Sequence, residues 1–158
     1  VQGENRGFRR IARGFAAVFG VWVRWCMLRS VLLATVVVRD YDEAIAFYVN
    51  KIGFALLEDE DRGGGKRWVR VGPEGGGAAL LLAKAVTAEQ QSRIGNQTGG
   101  RVMMFIESDD FERDYVRMCE AGVVFTQVPR REKYGTVAVF EDLYGNRFDL
   151  IQRAEVIR

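Results

Sequence analysis

One pattern occurs twice in this chain, and it constrains the fold more than any other feature. Asp40 opens a helical stretch and so does Asp109; Gly53 closes the first and Gly122 the second, and each pair is 69 residues apart. A repeat of this kind marks units that cannot bury their apolar faces alone. In the first unit, Val31 to Val38 is rich in β-branched residues and predicts a buried strand. Tyr41 to Lys51 follows as a helix, with Ala44, Ile45, Phe47 and Tyr48 clustered on one side. Asp40 or Asp42 caps its start, and Gly53 ends it with positive φ. Phe54 to Leu57, Arg67 to Val71 and Ala78 to Ala83 predict further strands. Gly63-Gly64-Gly65 and Gly75-Gly76-Gly77 read as turns between them, since no Gly-Lys-Ser/Thr helix start makes either a phosphate loop.

After a polar connector, Thr87 to Gly100, the order returns. Arg101 to Ile106 predicts a strand and Asp109 to Glu120 a helix. Val123 to Gln127, Thr136 to Phe140 and Arg147 to Ile151 predict the last strands. The expected fold class is therefore α+β. Two βαβββ modules in pseudo-twofold arrangement form a concave mixed sheet, with the helices outside. The domain is expected over residues 28–153, with halves at about 28–86 and 100–153 and a tail at 154–158.

Composition excludes several chemistries. The chain has no histidine, so Ser-His-Asp and Cys-His catalysis and every histidine-bearing zinc site are ruled out. Cys26 and Cys119 are too few for a disulfide framework or a four-thiolate site. Cys119, late in the second helix, reads as a core residue, and a reducing, cytoplasmic setting is expected. No run reaches the ~18 apolar residues of a membrane span. The formal net charge is +2, but six arginines and one acid lie in the first 30 residues, so the remainder is net acidic. The body is not built to bind nucleic acid.

Residues 1–27 read as a leader. Phe8, Ile11, Phe15, Phe19 and Trp22 form an apolar stripe at helical spacing, with the arginines mostly off it. Three readings stay open: a helix packed on its own domain or on a dimer mate, a leader upstream of Met27, or a helix touching a membrane surface. A secretory signal is disfavoured, because Arg13 interrupts the apolar stretch and no small-residue cleavage site follows.

The segment VVVRDYDEAIAFYVNKIGF, Val36 to Phe54, resembles the opening motif of the vicinal oxygen chelate superfamily, which includes glyoxalase I, bleomycin-resistance proteins and extradiol dioxygenases. YGTVAVFEDLYGNRFDLIQ, Tyr134 to Gln152, is similar to that module's close. The resemblance spans roughly Leu28 to Arg153. It implies the same paired-module fold, a homodimer with sites where modules meet, and metal ligands on the first and last strand of each half. Those ligand positions fall on Leu33, on the Ala78 to Ala83 strand, on Met103 and on Asp149. One acid in four positions does not hold a divalent metal. The expectation is no metal and no other cofactor.

Strand alternation then names a candidate lining. If Leu33 faces the pocket, so does Thr35; if Met103 does, so do Arg101 and Phe105; if Asp149 does, so does Arg147. Trp68 and Arg70 share one face of their strand. The candidate ligand-binding residues are Leu33, Thr35, Trp68, Arg101, Met103, Phe105, Arg147 and Asp149, with Asp149 the only catalytic candidate. Such an apolar lining with few polar anchors suits an organic ligand. The plainer alternatives stay open: Leu33, Met103 and Phe105 as ordinary core, and Asp149 paired with Arg101 or Arg147. Gln97 to Arg101 reads as a tight turn, Glu141-Asp142 as a solvated turn, and Glu58 to Asp61 as a solvated hairpin edge. Tyr134 and Tyr144 are phenols with an ordinary pKa near 10.

Three functions compete: metal-independent binding of a small organic molecule, a lyase- or isomerase-like enzyme with Asp149 as base, and an interaction module acting through the N-terminal helix. The first is the leading reading.

Overall fold

The structure is a computed structural model, and it describes residues 29–154. The leader helix proposed from sequence lies outside the described residues. In the first half, β1 (Leu33–Val38) leads into α1 (Tyr41–Phe47), a π-helical turn (Tyr48–Ile52), β2 (Ala55–Asp61), β3 (Arg67–Gly72) and β4 (Ala79–Lys84). Its sheet has the order β1-β4-β3-β2, with β1 parallel to β4 and the other pairs antiparallel. A short helix, α2 (Ala88–Arg93), lies in the connector. The second half runs β5 (Val102–Glu107), α3 (Phe111–Glu120), β6 (Val124–Phe125), β7 (Arg130–Glu132), β8 (Gly135–Glu141) and β9 (Arg147–Arg153). Its order is β5-β9-β8-β6, β7 pairs with β8, and β5 is parallel to β9.

The two helices start and stop as their caps require. The Asp40 carboxylate accepts from the backbone N–H of Asp42 at 2.9 Å, and Asp110 caps α3 by accepting from Arg113 at 3.0 Å. Gly53 stands at φ +90° and Gly122 at φ +76°, a left-handed conformation that other residues adopt at a cost. Gly53 also makes room for a neighbour. The Arg117 guanidinium of α3 donates to the Lys51 and Ile52 carbonyls at 3.0 and 2.7 Å, and a Cβ on Gly53 would stand 3.1 Å from it. The free carbonyls ending the first helix are thus satisfied by the second half.

One core joins both halves. The helix-facing sides of the sheets bury Val36, Val38, Val69, Val71, Leu80 and Leu82 on one, and Ala138, Phe140, Phe148 and Leu150 on the other. Tyr48, fully buried after α1, meets Phe148 edge-on at 6.3 Å, and Phe140 stacks on Phe148 at 5.3 Å. Between these rings sits a polar knot. Asp142 is buried; its Oδ1 accepts from the backbone N–H groups of Tyr144 and Asn146, both at 2.9 Å. Its Oδ2 accepts from the Tyr48 hydroxyl at 2.9 Å and from Asn146 Nδ2 at 2.8 Å. The sequence reading of Glu141-Asp142 as a solvated turn is therefore corrected at Asp142, whose carboxylate organises the β8–β9 turn.

Other differences are local. The connector holds α2 because Thr87 and Gln90 form a capping box, a signature with no apolar period behind it to advertise a helix. The strand expected at Val123 to Gln127 shrinks to Val124–Phe125, and β7 takes the next place along β8. Cys119 is exposed rather than core, because Met118, one residue earlier, is the side chain α3 turns inward. Glu58 and Asp59 are not free edge acids: each accepts from an arginine, Arg70 and Arg67 respectively.

Candidate functional site

The register sorts the predicted site residues by face. In β1 the buried Val36 and Val38 point to the helices, so Leu33, Thr35 and Val37 lie on the opposite, helix-free face. In β3 Val69 and Val71 are buried, which puts Trp68 and Arg70 on that helix-free face too. The pairing of Arg70 with Leu81, and of Leu81 with Thr35, continues one row across three strands. The first half therefore does bring Leu33, Thr35 and Trp68 to one surface. Beside Trp68, at the end of the strands, a cleft of about 390 Å³ is lined from both faces, by Leu81 and Ala83 on one and by Tyr41 of α1, Leu82 and Gln90 of α2 on the other.

In the second half, Phe148 and Leu150 point to the helices and Asp149 points away. Asp149 is register-paired with Val139 of β8 and Phe105 of β5. Phe105 is 67% exposed, so its ring does not serve the core. The Asp149 carboxylate carries one buried oxygen, Oδ1, with no hydrogen-bond partner among the described residues. Burial pushes its carboxyl above the usual carboxylate range, against the pull of the Arg130 charge. It pairs with neither Arg101 nor Arg147. Arg147 instead meets Glu141 at 3.4 Å and donates to the Gly100 carbonyl at 3.1 Å.

Met103 and Arg101 do not follow the alternation expected of them. A bulge between Val102 and Met104 adds a residue to β5, and one extra residue reverses the facing of everything before it. Val102 takes the position opposite Arg147, while Met103 packs against the core. Arg101 sits in the turn before β5, exposed, with its carbonyl accepting from the Thr98 hydroxyl at 2.6 Å.

Gln97 has a use that the sequence did not reveal. Its side-chain amide accepts from the Val37 N–H at 2.6 Å and donates to the Thr35 carbonyl at 3.2 Å. The free edge of β1 is thus partly satisfied by a side chain. A second cavity missed by sequence, about 820 Å³, opens on the helix side between the halves, lined by Ala34, Phe54, Leu80, Met104, Ile106 and Phe148. Its polar end is closed on itself, because Ser108 donates to Asp114 at 2.6 Å. Of the predicted site residues only Phe105 reaches it.

The positions at which a metal would be expected do not fit one. Those positions hold Leu33, the apolar Ala78 to Ala83 strand, Met103 and Asp149, and one carboxylate among aliphatic and thioether side chains does not make a divalent-metal site. Among the described residues no group of three or more His, Cys, Asp or Glu side chains stands together. Tyr144 is no better placed to move protons: it donates to Glu43 at 2.7 Å, and burial pushes its phenol up to about 12.

Two βαβββ units, a shared core and a pair of helix-free faces agree with what known proteins resemble this chain. Residues 30–150 match the sequence model of the Glyoxalase/Bleomycin resistance protein/Dioxygenase superfamily. An uncharacterised protein of Shewanella frigidimarina (strain NCIMB 400) is 55% identical over 128 residues, which is 80% of this chain and 95% of that protein. YurT, an uncharacterised protein of Bacillus subtilis (strain 168), is 32% identical over 78% of this chain and 99% of its own length. Among solved structures, TnmS3, described as an antibiotic binding protein from Streptomyces sp. CB03234, superposes with a TM-score of 0.66. It is 30% identical, over 80% of this chain and 98% of TnmS3. The chain belongs to the Glyoxalase/Bleomycin resistance protein/Dioxygenase superfamily. Among the described residues, no helix is long and apolar enough to cross a membrane.

Proposed function

We propose that this protein binds a small organic molecule on the helix-free faces of its sheets without a metal, acting in the cytoplasm as a homodimer in which those faces close on one another. The observation that carries the reading is the pairing of an exposed ring with an unpartnered carboxylate, Phe105 beside Asp149. An aromatic side chain left in water and a buried acceptor left unsatisfied both cost free energy in the isolated chain. A ligand with an apolar body offsets the first cost by covering the Phe105 ring, and a donor or positive charge on it is favoured by the neighbouring Asp149 carboxylate. Leu33, Thr35 and Trp68 supply apolar surface on the first half. Met103 is then a core residue, Arg101 a turn residue, and Arg147 a rim group held by Glu141. The description of TnmS3 as an antibiotic binding protein supports the ligand class, a bulky organic compound, at a level of resemblance that does not name it.

A thermal-melt screen against small organic compounds, each run with and without Ni²⁺, Zn²⁺ and Mn²⁺, tests this. A ligand at 100 times its Kd stabilises the fold by about 2.7 kcal/mol. Stabilisation by a compound in the absence of metal is the expected result. Stabilisation that appears only with metal contradicts the reading.

A second reading has one observation in its favour. The raised pKa of Asp149 is what a general base requires, so a lyase- or isomerase-like reaction would run through that carboxylate. Turnover of a screened compound, lost in Asp149→Asn with the fold intact, would establish it in place of simple binding.

A further inference from the structure

The cavity of about 820 Å³ between the halves has no part in the ligand reading, and its walls define what it is suited to hold. Ala34 of β1, Phe54, and Met104 and Ile106 of β5 line it with carbon, each of them partly exposed. Val31 lines it too and is 70% exposed. Such surface costs free energy until something apolar covers it. The charged residues of the lining are all acids, Glu107, Asp109 and Asp114, with no lysine or arginine among the described lining residues. Arg153 meets Glu107, and Arg113 meets Asp109 and Asp114 at 2.6 and 3.0 Å. Three acids against two arginines leave this rim net negative.

The chain reaches the cavity from its own N-terminal side. The Leu32 carbonyl accepts from the Ala79 N–H at 3.0 Å, which pins the incoming strand beside Ala78 and Ala79, both in the cavity wall. Residues 1–28 precede it and lie outside the described residues. The superfamily match begins at residue 30, so they are no part of the matched module. Their sequence complements the cavity twice over. Phe8, Ile11, Phe15, Phe19 and Trp22 recur at helical spacing, and five arginines stand against one glutamate. An amphipathic stretch of this length is marginal as a helix alone in water and gains stability by packing its apolar side. Trp22 is nine residues before Val31, a span of up to about 30 Å, so the stripe can reach the cavity.

We propose that the N-terminal segment docks on its own chain, as a helix that seats Phe15, Phe19 and Trp22 in the cavity between the halves and sets its arginines over the acidic rim. The covalent tether favours this chain's own segment over that of a second copy, because it raises the local concentration. Asp149 is not among the cavity walls, so the proposal does not rest on the ligand reading.

The test is photocross-linking of the full chain, with p-benzoylphenylalanine in place of Phe19 or, as a control, of Ala17. Two residues along a helix turn about 200°, so Ala17 faces away from the stripe. Adducts are sized on a denaturing gel and mapped by mass spectrometry of the peptides. The expected result from position 19 is adducts within a single chain, on peptides holding residues 31–34, 73–80 or 104–107. From position 17 these adducts are expected to be lost. Ala78→Trp, at an exposed part of the cavity wall, is expected to block the seat and bring position 19 down to the control level. Pro73→Trp is a second blocking variant should the first not fold, and circular dichroism melts verify folding of both. Adducts that join two chains overturn the proposal in favour of a second copy's segment. Adducts to lipid that form only with phosphatidylglycerol vesicles overturn it in favour of a membrane surface. Adducts elsewhere on the chain, equal yields from positions 17 and 19, no adducts at all, or yields undiminished in a folded blocking variant overturn it outright.

Discussion

Replacing Asp142 with alanine is expected to destabilise this protein more than any surface charge change. The carboxylate is 6% exposed and accepts from four donors. Two of those, the backbone N–H groups of Tyr144 and Asn146, lie in a turn that water reaches when it loosens. The other two, the Tyr48 hydroxyl and Asn146 Nδ2, belong to side chains that are 0% and 3% exposed. Leaving a buried donor unsatisfied costs about 1–3 kcal/mol, so the two together put the loss near 3–4 kcal/mol, from a total stability of roughly 5–15 kcal/mol. Tyr48 follows α1 and Asp142 sits between β8 and β9, so the loss falls where the halves join. Urea unfolding followed by circular dichroism measures it. Tyr48→Phe removes one donor and is expected to cost about 1 kcal/mol. The double variant is expected to be less than additive, because the shared bond is lost only once. A loss under about 1 kcal/mol for Asp142→Ala, or strict additivity, would refute the argument that this knot couples the halves.

Further predictions follow from single positions. Gly53→Ala is expected to cost about 1–2 kcal/mol for the left-handed backbone, with more lost as the new methyl displaces Arg117 from the Ile52 carbonyl; chemical denaturation measures it. Asp149→Asn is expected to be at least as stable as the native chain at pH 7, because burial disfavours the native carboxylate's charge. A raised native pKa means the folded state binds the extra proton first, so this disadvantage shrinks as pH falls through the native pKa toward about 4. A variant less stable than the native chain at pH 7 would count against that. Tyr48 behaves alike at the other end of the scale. Burial, then the Asp142 charge, raise its phenol well above the ordinary value, so its contribution is whole below about pH 10 and is lost as pH climbs through the native pKa. Alkaline melts should show the fall, and Tyr48→Phe should flatten it.

Much of the architecture was legible because its signals are local. The cap at Asp40, the left-handed glycines at 53 and 122, and the strand runs between them need only near neighbours to act, while the second cap falls on Asp110, one residue after the Asp109 read from sequence. What sequence missed depends on partners far along the chain. Asp142 looks like a turn acid until Tyr48, 94 residues away, is brought against it. The bulge in β5 was hidden because Val102, Met103, Met104 and Phe105 are all apolar, and a run with no polar alternation does not reveal which residue is extra. The same lack of contrast left the facing of Trp68 and Arg70 open until the burial of Val69 and Val71 decided it. The site followed the same rule. Asp149 was named through the family resemblance and Phe105 by alternation from Met103, which the bulge sets against the core, whereas the polar roles of Arg70 and Glu58 depend on a cross-strand pairing with its own irregularity at Leu56.

The central claim is that a small organic molecule binds the helix-free faces without a metal. The measurement that tests it most directly is a binding isotherm for a compound from the melt screen, taken in chelator-treated buffer on the native chain and on Phe105→Glu. The expected result is saturable binding that survives the chelator and is lost when a charge replaces the Phe105 ring. Binding that vanishes with the chelator, or that persists unchanged in Phe105→Glu and Asp149→Asn, would contradict it.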